Sequence, residues 1–133
     1  MTVFDPRTLH QLADDDRARP FLLGLAETFQ RMLGERVSRL VDAVRGADVE
    51  EAMDAVLSLK VSSTMIGAHE LARTATLIEG YLRSDDLPGA SSLLLVLAEV
   101  ARRTDAAIAG YLTHAADALG GAGRVQVSSG SMR

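Results

Sequence analysis

The sequence predicts an all-α protein folded as an antiparallel up-and-down helical bundle. Apolar residues recur at three- and four-residue steps over long segments, the period of an amphipathic helix. All three prolines stand where helices should begin, because the first helical position needs no backbone N–H. With no Trp, two Tyr and three Phe beside abundant Ala and Leu, the composition suits helices packing on helices better than a β-sandwich.

Each element has its own local cause. Asp5 can cap a first helix entered at Pro6, over about 6–14, with Phe4 and Leu9 as a hydrophobic staple. Leu9, Leu12 and Ala13 form its apolar side, and Asp14-Asp15-Asp16 ends it. A second helix over about 20–45 carries Leu22, Leu25, Phe29, Leu33, Val37, Leu40 and Val44 on one face, and Gly46 closes it. Asp48 and Glu51 make a capping box for a third helix reaching about Ile66, and Gly67 breaks or bends the chain. A fourth helix over about 68–83 uses Leu71, Ala75, Ile78 and Leu82. A fifth, over about 87–118, uses Leu93, Leu97, Val100, Thr104, Ile108, Tyr111 and Ala115. Short connections between long helices favour antiparallel neighbours. Residues 1–119 therefore read as one domain, and the Gly- and Ser-rich segment 120–133 as a flexible tail without regular structure.

Bulk properties exclude several classes. The formal charge of −4 gives no clustered Lys and Arg for a nucleic-acid backbone. There is no apolar stretch of about 18 residues, and the N-terminus lacks a basic region followed by an apolar block, so a cytoplasmic protein with no membrane contact is expected. The absence of cysteine removes disulfides and thiolate metal sites. No Gly-rich phosphate loop, His-Glu-x-x-His or clustered metal-ligand spacing is present, so no metal, cofactor or enzyme activity is expected.

The most informative segment is Val56-Leu57-Ser58-Leu59-Lys60-Val61-Ser62-Ser63-Thr64-Met65-Ile66-Gly67-Ala68. It resembles the signature of the histidine phosphotransfer (HPt) domain, which reads roughly His-x-Leu-Lys-Gly-Ser-Ser and then Gly-Ala. Leu59, Lys60, Ser62, Ser63, Gly67 and Ala68 match that pattern. The resemblance continues through Phe4-Asp5, Leu9 and Leu12, then Phe21, Phe29, Arg36, Leu40 and Ala43. Asp48, Ala52, Leu71-Ala72 and Ile78-Glu79 extend it, covering about 4–112. It implies four bundle helices plus a short N-terminal one, and a phosphorelay protein whose partners are a response-regulator receiver domain or a histidine kinase. Two positions depart from it: Leu57 stands where the resemblance puts the phosphate-carrying histidine, and Val61 stands where it puts glycine. A phosphoryl acceptor needs a lone pair, and leucine has none.

On a helical wheel of about 100° per residue, Ala52, Ala55, Val56, Leu59, Ser62, Ser63 and Ile66 face the core. Met53, Leu57, Lys60, Val61 and Thr64 gather on the opposite side, making the candidate partner-binding face. Met53, Leu57 and Val61 form an apolar stripe that could also join two copies of the chain. Lys60, taken alone, reads as a solvated helix lysine. So do the charges Arg31, Glu35, Arg36, Arg39 and Asp42, and likewise Arg102, Arg103 and Asp105. His10, His69 and His114 read as surface histidines without a surrounding motif. Three functions follow as expectations: a degenerate HPt protein that binds a receiver or kinase without carrying phosphate, an HPt fold reused for self-association or scaffolding, and a phosphotransfer protein using another histidine such as His69.

Overall fold

Aspartates begin three of the helices in the computed structural model, which describes residues 2–11 and 19–131, with side chains for 2–11 and 20–115. Asp5 accepts from Arg7 N at 3.0 Å and opens α1 (Pro6–His10). Asp48 accepts from Glu51 N at 3.1 Å and opens α3 (Val49–Ile66), which follows α2 (Arg19–Arg45). After α4 (His69–Arg83), Asp86 accepts from Gly89 N at 2.9 Å and opens α5 (Leu87–Ser92). Each such cap contributes about 0.5–2 kcal/mol. The last helix, α6, runs Leu94–Ser131. The described residues contain no strand, so the molecule is all-α as expected.

Four long helices form the bundle, with α3 packed between α2 and α4 and α6 closing the ring against α4 and α2. Leu40, Leu59, Leu71, Ile78, Leu97 and Ile108 are fully buried, and they come from all four of these helices. Each contributes about 1.5–3 kcal/mol through its burial. The predicted faces of α2, α4 and α6 bury as expected, apart from Leu25, Leu93 and Tyr111, which are half-buried against the core.

Several expectations need correction. The predicted continuation of α1 through Leu12, Ala13 and Asp14-Asp15-Asp16 lies outside the described residues. The predicted fifth helix is two. Leu93 N bonds Ala90 O three residues back, so the first turn closes as α5, and Leu93 O then accepts from Leu97 N to start α6. The helical backbone continues to Ser131, through the segment predicted to lack regular structure, and nothing in its Gly- and Ser-rich composition explains that. Gly46 follows the last residue of α2, Arg45, as expected, and the left-handed residue is the next one, Ala47, with φ 57°. It sits where Asp48 N bonds Ala43 O at 2.9 Å, a chain reversal that left-handed φ permits. The Asp48–Glu51 capping box is half made, because the Glu51 carboxylate turns instead to Arg39 on α2.

Gly67 is the bend the sequence requires, with φ 89°, and its conformation has a tertiary reason as well. Its carbonyl accepts from Asp5 N at 2.8 Å. A Cβ here would meet the Asp5 carbonyl oxygen and would stand 2.9 Å from Thr8 Cβ. The N-terminal segment is therefore laid directly on the α3–α4 turn. Thr8 Oγ1 and His69 Nε2 are 3.1 Å apart, and His10 Nε2 lies 2.8 Å from the Tyr111 hydroxyl. The Phe4 and Tyr111 rings meet edge to face with centroids 5.4 Å apart. His10 and His69 are thus half-buried fastenings of α1 rather than the solvated side chains the sequence suggests, whereas His114 is exposed.

Two substitutions test this packing. Gly67→Ala should lose at least about 1–2 kcal/mol from the left-handed backbone alone. It should also release α1, seen as faster amide exchange at residues 5–10 in a hydrogen-exchange experiment. Ser63 is fully buried and its hydroxyl has no hydrogen-bond partner. Denaturant unfolding of Ser63→Ala should therefore show unchanged stability or a gain of about 1 kcal/mol, because an unsatisfied buried hydroxyl costs more than it returns.

Candidate functional site on α3

The outer side of α3 is set by the same periodicity that buries Ala52, Ala55, Val56, Leu59, Ser63 and Ile66. Asp54, Ser58, Val61 and Thr64 are exposed along it, and Val61 keeps 55% of its surface in solvent. Met53 and Leu57 are not on a free face, as the wheel suggests. Both are half-buried and pack against the edge of the core, because an α-helix held between two neighbours has flanks as well as a front and a back. The apolar stripe Met53-Leu57-Val61 therefore runs from a packed flank to an open ridge.

Lys60 is the larger departure from expectation. Its Nζ is 2.6 Å from Glu79 Oε1 on α4, and Glu79 Oε2 is 2.7 Å from Arg83 Nη2. The Glu79 side chain is only 8% exposed, so its carboxylate sits between two cations with little water. Hydrogen bonds from Lys60 and then Arg83 hold its pKa below the ordinary carboxylate value, against the opposing effect of burial. Lys60 is thus committed to a cross-helix ion pair rather than solvated. The sequence carries a trace of this, since Glu79 ends the Ile78-Glu79 pair of the resemblance while falling on the buried side of α4.

The other flank of α3 faces α2. Arg39 Nη2 reaches Asp54 Oδ2 at 2.7 Å and Glu51 Oε1 at 3.1 Å, and these two carboxylates raise the guanidinium pKa further. Arg36 Nη1 donates to Ser62 Oγ, and Ser62 Oγ in turn donates to Ser58 O at 2.9 Å. Beside them a groove of about 160 Å³ opens between Leu25, Phe29 and Met32 of α2 and Met65 and Ile66 of α3. Met53, Leu57, Lys60, Val61 and Thr64, the face expected from the helical wheel, do not line this groove, because it belongs to neither helix alone. Arg102 and Arg103 are ion-paired as well, to Glu99 at 2.7 Å and Glu70 at 2.6 Å respectively.

A four-helix bundle with a short N-terminal helix and this motif on α3 defines a phosphotransfer-module architecture. A family model described as "Hpt domain" matches residues 24–122, and the chain belongs to that family. Membership places it in phosphorelay signalling, where such domains exchange phosphate with receiver domains or kinases. Comparison with curated proteins and with solved structures finds no match. Among the described residues, no helix is long and apolar enough to cross a membrane.

The Glu79 ion pairs carry a pH signature. A carboxylate whose folded pKa lies below its unfolded value adds stability that is fully present above the unfolded pKa, near the ordinary 4.5, and is lost as pH falls through the folded value. Glu79→Gln should cost about 1–3 kcal/mol at neutral pH. In parallel urea titrations the gap between wild type and variant should close as pH drops from about 6 to below 4.

Proposed function

We propose that this chain is an HPt-type docking protein: it binds a receiver domain or a histidine kinase and accepts no phosphate at position 57. The observation that carries this reading is Leu57 itself, half-buried on α3 at the position the motif reserves for the carrier histidine, with no lone pair to attack phosphorus. Two neighbours support it. The Lys60 ammonium, which the resemblance places beside the phosphoryl group, is neutralised by Glu79 at 2.6 Å. Val61 replaces a flat glycine with an exposed apolar side chain, which favours contact with a partner over access for a phosphoryl group. Such a protein would sequester a response regulator or compete with a phosphate-bearing HPt domain.

The alternatives draw less support. Self-association through Met53, Leu57 and Val61 has Val61 as its one largely exposed member, since the other two already pack on the core. Phosphorylation of His69 at Nε2 would have to displace the Thr8 hydroxyl, 3.1 Å away.

Incubation with a phosphorylated receiver should leave the wild type without acid-labile phosphate, including at His69. Leu57→His with Val61→Gly should gain label. If the folded double variant binds a receiver and stays unlabelled, position 57 is not the carrier position. A Leu57→Glu variant that binds receiver as tightly as wild type would remove the Met53-Leu57-Val61 stripe from the docking surface.

A further inference from the structure

The groove between α2 and α3 has a chemistry that specifies its occupant. Its walls are Leu25, Phe29 and Ile66 at depth, with Met32 and Met65 at the lips, 40% and 55% exposed. Methionines at the mouth of an apolar groove adapt their shape to whatever enters. At about 160 Å³ the groove falls below the roughly 300–1,000 Å³ of sites that enclose a small molecule, and suits one or two side chains of a protein partner. Leu25, Phe29, Met32 and Arg36 follow one another along α2 over three turns, about 16 Å of helix.

Arg36 closes the groove, and its partners are neutral. Its guanidinium donates to Ser62 Oγ and lies 3.8 Å from Met32 Sδ. Among the described residues no carboxylate lies within ion-pair distance of it, whereas Arg39, one turn along the same helix, is held by Glu51 and Asp54. A half-buried guanidinium satisfied only by a hydroxyl and a thioether keeps its charge and most of its planar fork for a carboxylate from outside.

We propose that this groove seats an amphipathic helix of a partner protein, with two apolar side chains one turn apart between Met32 and Met65 and a carboxylate paired with Arg36. The inference rests on the docking reading above and names the chemistry of the surface that docks. The apolar contacts supply the burial, and the Arg36 pair sets the direction and register of the helix.

The probes are three synthetic helical peptides of about 16 residues, each with Leu at two positions one turn apart and, one turn further, Glu, Gln or Lys. Binding is followed through the Met32 and Met65 methyl resonances of the intact chain. The Glu peptide should shift both methyls and bind about five- to tenfold more tightly than the Lys peptide. Arg36→Glu should reverse that order, and Arg36→Gln, which preserves the fold if Arg36→Glu does not, should erase it. Unmoved methyls, or equal binding of the three peptides, would overturn the inference. So would self-association of the wild type that Arg36→Glu abolishes, because the occupant would then be a second copy. The docking reading is judged separately: if a receiver binds wild type and Arg36→Glu equally, the groove assignment falls and docking stands. If no receiver binds while the peptides behave as expected, docking to receivers falls and the groove assignment stands.

Discussion

Gly67 adopts a left-handed conformation at the turn between α3 and α4, and three separate pieces of chain are organised by it. The turn directs α4 back along α3, so that the two helices can share a core and Lys60 can reach Glu79. The same residue has no side chain because the backbone at Asp5 occupies the space a Cβ would need. The residues that follow continue the arrangement: His69 meets Thr8, Glu70 N donates to the Thr2 carbonyl at 3.2 Å, and the Glu70 carboxylate pairs with Arg103 on α6. One glycine thus joins the N-terminal cap, the motif helix and the helix beyond it.

The candidate site divides along the two flanks of α3, and the two flanks differ in how their charge is used. Toward α4, a carboxylate with little access to water holds one cation from each helix, so Lys60 stabilises the bundle rather than offering a free charge. Toward α2, Arg39 is likewise paired, but Arg36 has only neutral contacts and lies at the end of an apolar groove. The α3 surface thus combines Leu57, a lysine held by a carboxylate and an open apolar groove with a guanidinium at its end.

Much of the fold was legible because it depends on local rules. The apolar steps of α2, α4 and α6, the caps at Asp5 and Asp48 and the three prolines all act within a turn or two of their own position, and they appear where the sequence puts them. The failures have a common origin. The apolar period runs unbroken through Leu93, but the cap at Asp86 starts a short helix that closes on itself. Lys60, His10 and His69 read as solvated, because the groups that hold them are 19, 101 and 61 residues away in the chain.

The sequence by itself determined the helical class, the core faces, the family signature on the third helix and that the side chain at position 57 has no lone pair, since these follow from side-chain identity and short-range spacing. Only the tertiary structure decided which charges are spent and which are free. It paired Lys60 with Glu79 and Arg39 with Glu51 and Asp54, and left Arg36 facing a hydroxyl and a sulfur. The physical reason is that an ion pair across two helices depends on their relative rotation and register, which packing of the whole core sets and no single helix contains.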